Sequence, residues 1–104
     1  MPEFSNAFSG LAKKPLISKE ELIRSIRFMI AAEYEAVQLY MQLAESTDNE
    51  LAIAVLKDIA DEEVVHAGEF LRLLHELEPD EQKLYNKGAE EVEGQIKSIK
   101  GSTH

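Results

Sequence analysis

The chain has 104 residues, a formal charge of -9, 44% hydrophobic and 30% charged residues, and no cysteine. That is room for one domain with a modest core. The acidic balance argues against binding to nucleic acid or to an anionic membrane surface, both of which need basic patches; the lack of cysteine excludes disulfides, thiolate metal sites and cysteine nucleophiles, in keeping with a reducing cytoplasm.

The opening stretch, MPEFSNAFSGLAKKP, lacks the roughly 7–15-residue apolar core of a signal peptide. With Pro2, Gly10 and Pro15 among Ser and Asn, residues 1–17 read as an irregular arm. Ser18 followed three residues later by Glu21 is a capping-box pattern that starts a helix, free of Gly and Pro from Lys19 to about Glu45. Thr47 and Glu50 repeat the pattern, so a tight turn over Ser46–Asp48 leads into a second helix that ends near Glu78, before Pro79. Residues 18–78 thus form a helical hairpin. Pro79 suits a first helical turn and opens a shorter helix over 79–98, which Gly88 and Gly94 weaken; residues 99–104 read as a frayed tail. No apolar run approaches the roughly 18 residues a membrane span needs.

Each long helix carries an apolar stripe with alternating spacings of four and three. In the first it is Leu22, Ile26, Met29, Glu33, Ala36, Tyr40 and Leu43; in the second it is Ala52, Leu56, Ile59, Glu63, His66, Phe70, Leu73 and Leu77. Both stripes are interrupted near the middle, by Glu33 and Tyr40 in one and by Glu63 and His66 in the other. Glu33 lies 13 residues before Ser46, while Glu63 and His66 lie 17 and 20 after it. At ~1.5 Å per residue, an antiparallel hairpin brings them to similar depth with a mismatch of about one helical turn.

Taken singly, each of these residues reads as ordinary: Glu33 and Glu63 as solvated acids, His66 as a hydrogen-bonded histidine. Together, in phase with apolar stripes that contain no Lys or Arg, they are carboxylates in a seam without a counter-charge. A metal ion supplies that charge. Carboxylate oxygen with imidazole nitrogen suits Fe, Mn or Zn rather than Ca or Mg. Glu-x-x-His on one helix facing a Glu on another is the donor pattern of di-iron carboxylate bundles, which need two such half-sets and four helices. One chain supplies half of each, and a two-fold dimer supplies the whole. Glu35 points ~160° from Glu33 and cannot share its ion within one helix; His75, ~180° round from His66, is expected at the surface. Glu62, Glu69 and Asp58 are expected on a solvated face.

The runs AAEYEAVQLYMQLAESTD and DEEVVHAGEF closely resemble the encapsulated ferritins, short ferritin-like proteins packaged in encapsulin nanocompartments. The similarity covers residues 18–78. It implies an all-α fold, a ferritin-like antiparallel two-helix hairpin plus a short C-terminal helix, completed to a four-helix bundle by dimerisation. It implies a ferroxidase centre holding two Fe per subunit pair, with Glu33, Glu63 and His66 as ligands, Tyr40 lining the centre and Glu35 as a second-site acid on the path of iron entry. Mn and Zn suit the same donors. The implied partners are a homodimer building a larger ring, commonly a decamer, and an encapsulin shell protein, in the cytoplasm inside the compartment. Two positions depart from the pattern: Ala32 stands where an acid is frequent and Leu39 where Trp is frequent; nor does IKSIKGSTH show the C-terminal targeting peptide. Two other readings of the residues are a metal-free helical interaction module and a rubrerythrin-like di-metal peroxidase, the latter disfavoured because the rubredoxin-type part of such enzymes needs cysteine.

Overall fold

A computed structural model describes Ala12 and residues 14–102. Most of the arm expected over residues 1–17 lies outside the described residues, as do Thr103 and His104 of the expected tail. The chain is all-helical among the described residues: α1 spans Lys19–Glu45, α2 Glu50–Leu77 and α3 Pro79–Ser102.

α1 begins as its capping box dictates. The Ser18 hydroxyl accepts from the Glu21 N–H, and the Glu21 carboxylate accepts from the Ser18 N–H, each at 3.1 Å. The second cap differs from expectation. Asn49, not Thr47, caps α2, its side-chain oxygen accepting from the Ala52 N–H at 2.9 Å. Thr47 instead accepts from the Asn49 N–H and shapes the turn; Asn outranks Thr as a cap, and the helix starts at Glu50.

α1 and α2 pack along a seven-residue repeat. On α1 the inward rows are Ile23, Ile30, Val37, Ala44 and Ile26, Glu33, Tyr40; on α2 they are Ile53, Ala60, Ala67, Leu74 and Leu56, Glu63, Phe70, Leu77. All of these are buried or half-buried. The core cluster is Ile23, Ile26, Ile30 and Leu74, with Phe70 and Leu77 packed against it. This corrects the expected stripes by one row. Met29, Leu43, His66 and Leu73, assigned to the seam from sequence, are exposed along its edge. In an antiparallel helix pair the corresponding flanking rows of the two helices lie on the same edge, so these residues share one open border. The error has a simple cause: each helix is apolar on three adjacent rows, and a hairpin consumes only two.

α3 continues past the expected end at residue 98, to Ser102, despite Gly88 and Gly94. Local pairs support it: Lys83 with Asp80 at 3.4 Å, and Gln82 donating to Asn86 at 2.8 Å. Glu78 alone separates α2 from α3, and it leaves the helical region (φ -137°, ψ 73°), as the residue before a proline is driven to do. From this elbow α3 stands away from the hairpin, and its residues from Lys83 to Gly101 are all exposed. The molecule is therefore elongated, 61 × 45 × 20 Å, with a radius of gyration of 19.0 Å against about 13 Å for a compact chain of this length.

The elbow is held by a clamp drawn from all three helices. The Glu81 carboxylate of α3 accepts from the Arg27 guanidinium of α1 through one oxygen and from the Tyr85 hydroxyl through the other. His75 of α2 packs its ring against Tyr85, centroids 6.0 Å apart. His75 is thus half-buried rather than at the surface as expected. Arg27, then Tyr85, hold the Glu81 carboxyl below the usual carboxylate range.

Two outcomes follow for stability. Leu74→Ala removes the most enclosed side chain, 1% exposed, and is expected to lower the urea midpoint by an amount equivalent to about 2–5 kcal/mol. Because Glu81 has a depressed folded-state pKa, its stabilising contribution is present above the unfolded value of about 4.3 and is lost as pH falls through the lower folded value. Arg27→Met is expected to flatten the acid limb of a stability-versus-pH curve below about pH 4.3, read by thermal melts at closely spaced pH values.

Candidate metal centre

Glu33 and Glu63 occupy inward positions of α1 and α2, and His66 follows Glu63 by one turn on the open edge. The three bring one ligand atom each within 4.8 Å of the others. His66 Nδ1 lies 3.7 Å from Glu63 Oε1 and 3.9 Å from Glu33 Oε2. These separations are too long for hydrogen bonds. A shared cation suits them better: ligand atoms about 2.1 Å from one ion sit at most about 4.2 Å apart, so small side-chain rotations close the set.

Equal depth comes from helix lengths. Counting back from Glu45 to Glu33 is twelve residues, and on from Glu50 to Glu63 is thirteen. The mismatch expected from sequence arose from measuring both distances from Ser46, which charged the whole turn to α2. Ala60 and Ala67, one turn to either side of Glu63, are buried and small, and leave space in the seam for two carboxylates.

The electrostatics are those of an uncompensated acid pair. Glu33 Oε2 is buried and makes no hydrogen bond. The neighbouring Glu63 carboxyl raises the Glu33 pKa above the usual carboxylate range, burial adds to this, and His66 acts the other way. No Lys or Arg pairs with either acid among the described residues. An orphaned carboxylate oxygen, a second carboxylate and an imidazole nitrogen directed at one point fit a divalent transition-metal ion such as iron, manganese or zinc.

The other residues singled out from sequence are not in this cluster. Tyr40 is half-buried, one seven-residue repeat after Glu33, and makes no hydrogen bond among the described residues. Glu35 is exposed on the outer side of α1. Glu62, Glu69 and Asp58 are exposed, as expected. The sequence reading missed the clamp of Arg27, Glu81, Tyr85 and His75; the one available signal was Pro79, which marks a sharp junction between helices.

The sequence profile of the rubrerythrin family matches residues 26–103. A ferritin-like–encapsulin shell fusion protein of Pyrococcus furiosus is 41% identical over 75 residues, 72% of this chain and 22% of that protein. The encapsulin nanocompartment cargo protein EncC of Myxococcus xanthus is 41% identical over 81 residues, 78% of this chain and 61% of that one. The chain thus spans less than two thirds of these relatives' own length, 22% of one and 61% of the other. The crystal structure of the encapsulated ferritin domain from Pyrococcus furiosus superposes with a TM-score of 0.80 at 35% identity, covering 93% of this chain and 95% of that one. The chain belongs to the rubrerythrin-type, ferritin-like proteins and, within them, to the encapsulated ferritins.

Proposed function

We propose that the protein is a ferroxidase subunit that oxidises Fe(II) to Fe(III) at a di-iron centre shared by two copies of the chain. The observation that carries this reading is the convergence of Glu33, Glu63 and His66 around a buried carboxylate oxygen that makes no hydrogen bond among the described residues.

The residues divide the work. Glu33 and Glu63 bind ferrous iron as hard anionic donors and favour the Fe(III) product over Fe(II), which makes oxidation downhill. Each carboxylate has two oxygens and so can serve two ions. His66 supplies a neutral nitrogen from the open edge, and Tyr40 lines the centre from one repeat away. Two Fe(II) provide the two electrons that take dioxygen to peroxide, or peroxide to water. Glu35, outside the cluster, is assigned to iron entry, with Ala32 altering that path and Leu39 altering the surroundings of the centre relative to the family pattern. Mn or Zn would occupy the same donors without this turnover.

The second half of the centre comes from a partner subunit. Met29, Leu43 and Leu73 are exposed along the edge that carries His66, and a second hairpin laid against this edge completes a four-helix bundle. Such dimers build a larger ring, a decamer in the family pattern. The relatives named as encapsulin cargo or shell fusion support delivery of the oxidised iron to a store enclosed by an encapsulin shell; on this reading the protein works in the cytoplasm, inside that compartment. Among the described residues no helix is long and apolar enough to cross a membrane.

Aerobic oxidation of Fe(II), followed by absorbance, is the direct test. Glu63→Ala and His66→Ala should each slow it by about 100-fold or more; wild-type rates in both variants exclude the assignment. Supplying dioxygen or peroxide in separate runs separates the ferroxidase from a rubrerythrin-like peroxidase. Metal that bridges two chains also drives their association. Fe(II) added anaerobically is therefore expected to raise the mass measured by light scattering, and Leu73→Glu on the open edge should prevent it. A metal-free interaction module predicts the same mass with and without Fe(II).

A further inference from the structure

α3 leaves the hairpin at a single junction, and its direction is set there. Every residue from Lys83 to Gly101 is exposed, and the α3 backbone makes no close approach to α1. A side-chain bridge crosses the gap instead. The Glu81 carboxylate, in the first turn of α3, accepts from the Arg27 guanidinium of α1 through one oxygen and from the Tyr85 hydroxyl through the other. The His75 ring of α2 packs against Tyr85 and closes the third side. Two further polar atoms are buried in this region, His75 Nε2 and Gln82 Oε1; neither makes a hydrogen bond among the described residues, so neither adds a second bridge. The Glu81 side chain is 14% exposed and that of Arg27 46%. An acid so enclosed grips its donors through its negative charge. A proton on Glu81 removes the ion pair with Arg27 and weakens the bond from Tyr85.

We propose that the elbow is an acid-sensitive latch: the charged Glu81 carboxylate fixes the direction of α3 against its own hairpin, and protonation of Glu81 frees α3 to swing while the helices and the hairpin core stay formed. The two parts separate because different forces hold them. The hairpin is held by the apolar cluster of Ile23, Ile26, Ile30 and Leu74, which contains no titratable group. α3 is held as a helix by local bonds, and in direction by the bridge. Every neighbouring element contributes charge. Arg27 of α1 first, then Tyr85 of α3, hold Glu81 below the usual carboxylate range; burial opposes them, and His75 of α2 adds to them when charged. Glu78 at the junction also attracts Arg27. Glu81 first, then burial, hold the Tyr85 hydroxyl above its usual range, with Arg27 opposing and Tyr34 of α1 adding, so Tyr85 keeps the proton it donates. The released form returns Glu81 to an ordinary value of about 4.3. The latch is therefore at full strength above about pH 4.3 and is lost as pH falls through the lower latched value. An imidazole gains charge on the acid side of neutrality, so His75 delays release. The device uses none of the metal donors and operates whether or not the chain oxidises iron.

The chain has no cysteine, so pairs of introduced cysteines can be spin-labelled without background. Gln38→Cys with Glu93→Cys reports the distance from α1 to α3, and Gln38→Cys with Glu69→Cys reports the hairpin; all three positions are exposed. The full chain is measured in chelator and diluted into unlabelled protein, so that only distances within one chain are read. The α1–α3 distribution is expected to be narrow at pH 7, to broaden below about pH 4.3 and to narrow again on neutralisation. The hairpin distance and the helicity by circular dichroism should not change over that range. Glu81→Gln at pH 7 should shift the balance toward the released form by roughly tenfold, and Arg27→Met should do the same from the other side of the bridge. His75→Phe should move release to higher pH. A wild-type α1–α3 distribution that is already broad at pH 7, Glu81→Gln and Arg27→Met distributions as narrow as wild type, or a hairpin distance that broadens together with that of α3 would each overturn the proposal.

Discussion

Two like charges meet across a helix seam, and the rest of the molecule is arranged around that conflict. Glu33 and Glu63 take positions that in any other turn of the hairpin hold Ile, Leu, Phe or Tyr. Among the described residues no Lys or Arg pairs with either, and Glu33 Oε2 is left without a hydrogen bond. Such an arrangement weakens an isolated hairpin, and the core that offsets it, the Ile23–Ile26–Ile30–Leu74 cluster, sits toward the end away from the turn. Close packing and the candidate donor set are thus separated along one helix pair, the first at one end and the second at mid-length.

The same economy appears in the surface. Among the described residues seven apolar side chains are buried, while sixteen large ones remain exposed. A monomer that shows so much apolar surface is built to associate. Five of the sixteen lie in two regions, the edge bearing Met29, Leu43 and Leu73, and α3 with Val92 and Ile96. Neither has a covering segment among the described residues.

Much of this was legible in the sequence, and the failures are instructive. Ser18 and Glu21 announce α1, Pro79 announces α3, and the Glu33, Glu63, His66 set follows from their phase in apolar stripes. Which apolar row faces inward was not legible, because Met29 and Ile30, or Leu73 and Leu74, are equally hydrophobic; only the partner helix distinguishes them. The Asn49 cap was obscured by a second acceptable cap two residues earlier. The clamp was beyond reach, since Arg27 and Glu81 stand 54 positions apart and exposed charged residues carry no periodicity that pairs them. Gly88 and Gly94 suggested a short third helix, yet two glycines at roughly 1 kcal/mol each are outweighed when the remaining residues favour the helix.

The short turn, Ser46 to Asn49, has a consequence for how this hairpin can change in length. It ties the two carboxylates to a common origin, so their alignment depends on twelve residues on one side and thirteen on the other. Deleting one residue from either count swings a carboxylate by about 100° and slides it about 1.5 Å along the axis. Adding a full period to one side alone restores the direction but displaces the two acids by about two turns. The hairpin can therefore change length without parting its two acids only through matched changes on both sides of the bend, which makes helix length a constrained dimension rather than a free one.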